Sequence, residues 1–196
     1  MLLNEEFQVK INDFGFATDR VGTLDTILGT PEYEAPELAL ERVYDGHRVD
    51  VFAAGVSLFN MFTGKPPFKV ANHKKPKEYP FYNLIATRNN NYWKEFSEKY
   101  WCIKNPDEKG LFTKEFKSLI FGILEPVPDK RLTIDEINRH AWMKGPTATP
   151  EEMEREFRKR HGPMRYTRKQ QEVEKLREHE FKPFNYRKKK LAQKKE

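Results

Sequence analysis

The chain has 196 residues, a formal net charge of +6 and a single cysteine, enough length for one domain with a real core plus an appendage. Residues 151–196 hold 16 Lys and Arg against 9 Asp and Glu, which leaves 20 against 21 for residues 1–150, so the body is neutral, the tail is basic, and the net charge is not a nucleic-acid signature. Cys102 alone excludes a disulfide within the chain, the longest apolar run, Val51 to Phe62, is interrupted by Ser57 and Asn60 and is too short for a membrane helix, and Met1 to Glu6 lacks the pattern of a signal peptide. A soluble protein of a reducing compartment is expected.

In chain order, Leu2-Leu3, a turn at Asn4-Glu5-Glu6, and alternating Phe7, Val9 and Ile11 predict a short hairpin leading to Asp13-Phe14-Gly15. Phe16 to Leu28 is polar and irregular and reads as a loop, closed by Gly29-Thr30-Pro31-Glu32-Tyr33-Glu34-Ala35-Pro36-Glu37. Arg48 to Thr63 carries apolar residues on every face and ends at Gly64 and Pro66-Pro67; such a helix is expected to be buried all round, with Asp50 in its first turn. Residues 65–80, with Lys74, Lys75, Pro76 and Lys77, read as a solvated loop. Phe81, Leu84 and Ile85 begin another helical face, followed by Asn89-Asn90-Asn91 and the pair Trp93 and Phe96.

Thr113 is placed to cap a helix whose Phe116, Leu119, Ile120, Ile123 and Leu124 form a core-facing stripe, stopped by Pro126 and Pro128. Thr133-Ile134-Asp135-Glu136 is a capping box opening a further helix with Ile134, Ile137 and Ala141 on one side. Thr149-Pro150-Glu151-Glu152 caps another, with Met153 and Phe157 on one face, ended by Gly162-Pro163. Beyond Met164 the pattern predicts a polar helix near Arg168 to His179 and then the basic run Arg187 to Lys190. That run reads as a solvated tail, with a nuclear signal or an acidic-surface contact as alternatives. A calmodulin-binding helix is disfavoured by Pro183.

Asp13-Phe14-Gly15 followed at loop distance by Ala35-Pro36-Glu37 resembles the two ends of the activation segment of eukaryotic protein kinases. With the Asp50 helix and the Arg131 to Trp142 segment in the same order, residues 2 to about 142 resemble the second half of a serine/threonine kinase domain of the calmodulin-dependent type. The resemblance implies a mainly α fold, the helical large lobe of the kinase α+β fold, with residues 1–145 as a partial kinase domain, a short N-terminal hairpin, and residues 146–196 as a helical basic tail. It implies ATP and Mg²⁺ as cofactors, with Asp13 as metal ligand and Phe14 and Gly15 beside the nucleotide. Thr26 becomes a phosphosite; Thr30, Tyr33 and Glu34 lie near the peptide substrate; Glu37, Asp50 and Arg131 are scaffold, with Arg131 paired to Glu37 and Asp50 anchoring the catalytic-loop backbone. Glu34 departs from the apolar residue common at its position, and Lys10 is not the ATP-binding lysine.

The glycine-rich loop, the strand lysine, its glutamate partner and the His-Arg-Asp loop have no counterpart in the 196 residues, so no catalytic base is assigned and the chain alone is expected to be inactive. Three readings stay open: part of an active kinase, a non-catalytic kinase-lobe binding module, or an adaptor acting through its basic tail. The expected partners are a protein substrate or regulator and the missing small lobe, with no membrane, and nucleic acid is disfavoured. The expected location is the cytoplasm, with the nucleus as the alternative, and an exposed apolar edge is expected to limit solubility.

Overall fold

The computed structural model describes residues 2–4, 8–20, 22–40, 43–101, 106–107 and 110–160. Phe7, Cys102 and the tail elements read at Gly162-Pro163, Arg168 to His179, Pro183 and Arg187 to Lys190 lie outside the described residues. The chain divides into two units, Asp13–Pro146 on one hand and Met1–Asn12 with Thr147–Glu196 on the other.

In the smaller unit, β1 (Leu2–Leu3) pairs antiparallel with β2 (Val9–Lys10), Leu2 opposite Lys10 and Leu3 opposite Val9. Asn4 and Gln8 extend the pairing: the Asn4 side-chain oxygen accepts from the Gln8 amide at 2.7 Å, and the Asn4 amide donates to the Gln8 carbonyl at 3.0 Å. Residues 150–160 are helical. Thr149 and Glu152 cap this helix reciprocally, the Thr149 amide donating to the Glu152 carboxylate at 2.9 Å and the Glu152 amide to the Thr149 hydroxyl at 3.2 Å.

The larger unit is helical apart from one two-stranded ladder, as the resemblance implied for a kinase large lobe. Its elements are β3 (Thr23–Leu24), α1 (Pro36–Leu40), β4 (Tyr44–Asp45), α2 (Gly46–Thr63), α3 (Pro80–Ala86), α4 (Asn91–Trp101), α5 (Lys114–Ile123) and α6 (Ile134–Arg139), with 3-10 turns at Pro128–Lys130 and Ala141–Lys144. Local chemistry sets the ends. Asp45 caps α2 by accepting from the His47 amide at 2.8 Å, and Gly64 ends it in the left-handed region at φ 72°, where a Cβ would be strained. Thr113 caps α5 through the Phe116 amide, and Thr133 and Glu136 form both bonds of a capping box on α6.

The core is aromatic. Phe59 of α2 packs edge-on to Phe96 of α4 at 4.9 Å between ring centres and lies near Tyr92, Trp93 and Phe116, all fully or almost fully buried. Such pairs add about 0.5–1.5 kcal/mol each beyond the area they bury. Tyr82 and Tyr92 bring hydroxyls into this core, donating to the Leu124 carbonyl at 3.3 Å and the Pro67 carbonyl at 3.0 Å. Burial pushes both phenols above the ordinary range, with Arg131 pulling Tyr82 part of the way back. Helix α2 reaches α5 at Gly55, where a Cβ would overlap the Ile123 side chain.

Two expectations need correction. Helix α2 is not buried all round: Asp50, Ala54 and Met61 are exposed and Phe62 is 48% exposed. Asp50, Ala54 and Met61 fall on one side at about 100° per residue, and no described element covers that side. Its apolar residues on every face gave no sign of this, because pattern counts composition and not neighbours. The stripe read on α6 is largely outside the core, since Ile134 is 57% exposed and Ala141 is exposed, leaving Ile137 to pack with Val51, Leu119 and Ile123. Among the described residues no helix is long and apolar enough to cross a membrane.

Candidate functional site

Asp13 adopts φ 67°, a left-handed conformation that Asp tolerates better than most residues. Its carboxylate accepts from the Gly15 amide at 3.3 Å, and the Ala17 amide donates to the Phe14 carbonyl at 3.1 Å, so Asp13 to Ala17 is a folded turn. All three residues of Asp13-Phe14-Gly15 are exposed, Phe14 at 68%. Among the described residues no group of three or more His, Cys, Asp and Glu is arranged to hold a metal. A lone exposed carboxylate still fits Mg²⁺ in the mode where one or two protein carboxylates combine with phosphate and water oxygens.

The loop after this turn is tied down at one place. Thr23 and Leu24 pair with Asp45 and Tyr44, and Leu24 reaches the start of α2, where a Cβ on Gly46 would meet its side chain at 3.0 Å. The Tyr44 hydroxyl donates to the Thr26 carbonyl at 2.5 Å. That bond leaves the Thr26 side chain exposed, its hydroxyl donating to Asp25 at 3.2 Å. Thr30 is exposed, its carbonyl accepting from the Tyr33 amide at 2.9 Å. Tyr33 is half-buried against the aromatic core, and the half-buried Glu34 side chain lies 3.8 Å from where a Cβ on Gly29 would stand. Thr30, Tyr33 and Glu34 thus share one turn entering α1.

At the end of this turn the chain becomes fully buried. Glu37 accepts a two-pronged bond from Arg131, 2.6 Å from Nη1 to Oε1 and 2.8 Å from Nη2 to Oε2, with both side chains almost inaccessible. The other guanidinium protons go to the Glu125 carbonyl, from Nε at 3.1 Å and Nη2 at 3.0 Å, and to the Arg48 carbonyl, from Nη1 at 2.8 Å. All five Arg131 donors are satisfied, the condition under which a buried guanidinium is tolerable. The Phe52 ring lies 4.9 Å from its Cζ, and Arg48 returns a bond from Nη1 to the Arg131 carbonyl at 2.9 Å. The structure therefore brings Glu37 and Arg131 together. Asp50 it leaves exposed, its carboxylate without a hydrogen-bond or ion-pair partner among the described residues.

Several participants carry no signal in the sequence. Arg48 joins the corner through its carbonyl, which any residue would offer, and through its guanidinium, which reaches Arg131 across 83 positions. Tyr44 reaches Thr26 across 18 positions. Glu125, 9% exposed, bonds Arg88 at 2.9 Å and ties the Arg131 turn to the residues following α3. Only the Pro126 and Pro128 pair hinted at a constrained turn there.

A family model described as protein kinase domain matches residues 1–143. CBL-interacting protein kinase 28 of Oryza sativa subsp. japonica is 33% identical over 153 residues, covering 76% of this chain and 30% of that protein. CBL-interacting serine/threonine-protein kinase 14 of Arabidopsis thaliana is 34% identical over 149 residues, 74% of this chain and 29% of that one. CBL-interacting protein kinase 26 of Oryza sativa subsp. japonica is 34% identical over 149 residues, with 74% and 26% covered. The chain thus spans less than a third of the length of these curated relatives.

Proposed function

The chain belongs to the protein kinase family, and we propose that it supplies the metal-holding and peptide-positioning part of serine/threonine phosphoryl transfer. In this reading residues 1–145 form the kinase portion and residues 146–196 a separate basic tail. The observation that carries it is the continuous path from the Asp13 turn through the Tyr44-pinned loop to the fully bonded Glu37–Arg131 corner. Asp13 would hold Mg²⁺ against the ATP phosphates, with Phe14 and Gly15 beside the nucleotide, and the cation offsets charge on the transferring oxygens. Thr30, Tyr33 and Glu34 present the peptide, the Glu34 carboxylate favouring a basic or polar residue after the phosphoacceptor. Glu37 and Arg131 fix that turn from behind, and Asp50 anchors a catalytic loop.

Thr26 is the modification site in this reading. Its exposed hydroxyl is open to a kinase while the Tyr44 bond holds its backbone. A regulator or substrate protein is the expected partner, in the cytoplasm. The 196 residues alone are proposed not to transfer phosphate, because positioning and electrostatics supply nearly all of phosphoryl-transfer catalysis and no catalytic base is assigned in them. The test has two parts. Purified chain with ATP, Mg²⁺ and a basic serine peptide should show no transfer, and measurable turnover would contradict this. Sequence in frame upstream of Met1 should encode His-Arg-Asp with an asparagine five residues after the aspartate; a different sequence there removes the catalytic reading.

The exposed side of α2, with Ala54 and Met61, favours a second reading in which the lobe is a non-catalytic binding module. Stable capture of a protein by a chain whose upstream sequence lacks that loop would select it.

A further inference from the structure

Residues 65–77 contain Lys65, Lys69, Lys74, Lys75 and Lys77 and no acidic residue, while the rest of residues 1–150 carries a net charge of −6. All five lysines are exposed. In a floppy loop this would be an ordinary solvated run. The structure shows an anchored one.

The single Thr63 hydroxyl proton is shared between the Phe59 and Lys65 carbonyls, 2.9 and 2.7 Å from the hydroxyl oxygen, and the Tyr92 hydroxyl donates to the Pro67 carbonyl at 3.0 Å. Phe68 is 4% exposed, packed edge-on against Tyr82 at 4.9 Å, and Ala71 is 2% exposed. Farther along, the Lys75 carbonyl accepts from the Glu78 and Tyr79 amides at 3.1 and 3.0 Å. The backbone is fixed by its apolar residues while the charges stand outward, so the entropy of ordering the loop is already spent in the fold. Of the five ammonium groups only that of Lys75 has an acidic partner among the described residues, Glu78 at 3.2 Å.

We infer that the 65–77 loop is a preformed docking site for an acidic polypeptide segment, formed by residues other than those of the proposed phosphoryl transfer. Charge complementarity selects the class of partner. The five cations are all lysine, with none of the arginine forks that grip phosphate in two places. The loop's Phe68 ring is buried and its His73 ring is half-buried, leaving no fully exposed ring on which bases could stack. Ala71 is also buried and Val70 is half-buried, so no fully exposed apolar side chain is offered to a bilayer. The surrounding −6 body limits how far a long polyanion can follow the surface, whereas a few carboxylates match the loop and are steered to it.

The test uses the full 196-residue chain and a fluorescein-labelled octaglutamate peptide, followed by polarisation at ~50 mM and ~150 mM salt. The parent should bind, more weakly at the higher salt. A variant with Lys69→Gln, Lys74→Gln, Lys75→Gln and Lys77→Gln should bind about tenfold more weakly, and the same four positions changed to Arg should stay within about twofold of the parent. Neutralising the tail by Lys188→Gln, Lys189→Gln and Lys190→Gln should leave binding unchanged. Unaltered thermal midpoints check the fold; if the fourfold Gln variant unfolds, Lys74→Gln with Lys77→Gln is read instead, and a weakened affinity is again expected. The inference is overturned if the parent does not bind, if loop neutralisation leaves binding intact, or if the tail variant loses it. It is equally overturned if oligo-dT or phosphatidylserine vesicles bind the loop more tightly than the peptide at the same salt.

Discussion

The two ends of the 13–37 segment are held in opposite ways. At Asp13 the carboxylate has one bond among the described residues, to the Gly15 amide two residues away, and the side chains of the turn are exposed. At Glu37 the carboxylate is buried, takes both prongs of Arg131, and sits in a corner where each donor has a partner. The contrast separates scaffold from chemistry. The scaffold end is built from contacts internal to the described lobe, while the end proposed to hold the metal leaves its carboxylate exposed.

The largest expected effect comes from unbalancing the buried end. Arg131→Met leaves the Glu37 carboxylate buried without a counter-charge, which should cost about 3–5 kcal/mol and lower the thermal midpoint by on the order of 10 °C. Asp13→Asn, by contrast, should leave the midpoint within about 0.5 kcal/mol of the parent. Equal losses from the two substitutions would erase the distinction.

Alkaline pH should act next, again on the buried side. Tyr82 and Tyr92 ionise in the unfolded chain near pH 10 but are held neutral in the fold by burial. Their contribution is therefore complete below about pH 10 and is lost as pH rises through the folded values. Each should lose about 1.4 kcal/mol by about pH 11, read as a falling unfolding midpoint in denaturant. A midpoint unchanged between about pH 9 and 11 would place those phenols in water.

Gly55→Ala pushes a methyl into Ile123 at the meeting of α2 and α5 and should destabilise the lobe by about 1–3 kcal/mol. The smallest effect belongs to Tyr44→Phe, which removes the bond to the Thr26 carbonyl at an exposed place. It should cost at most about 1 kcal/mol globally while speeding proteolysis and amide exchange in residues 22–30. Unchanged exchange there would mean that the ladder alone holds the loop.

How much of this could be read in advance follows the range of each interaction. The caps at Thr113, Thr133 and Thr149 act over three residues, and spacing alone located them. The stripe Phe116, Leu119, Ile120, Ile123 and Leu124 is buried throughout, because a 3.6-residue period reports directly on a helix packed along one side. Nothing local links Glu37 to Arg131 across 94 residues; only resemblance to a family set them side by side. The Arg48 carbonyl, the Tyr44 hydroxyl and the Arg88–Glu125 pair were invisible because each depends on tertiary placement. The exposed side of α2 and the anchoring of the 65–77 loop were misread for the same reason. Apolar residues indicate what can be buried, and neighbours decide what is.

The most direct measurement is a double-mutant cycle at the buried corner, with Glu37→Gln, Arg131→Met and the combined variant compared by reversible denaturation. A lobe held by this pair requires that each single change be severe and the combination less than additive, with a coupling of about 2–3 kcal/mol. Losses that simply add would mean that Glu37 and Arg131 do not meet, and the scaffold behind the proposed peptide turn would have to be sought elsewhere.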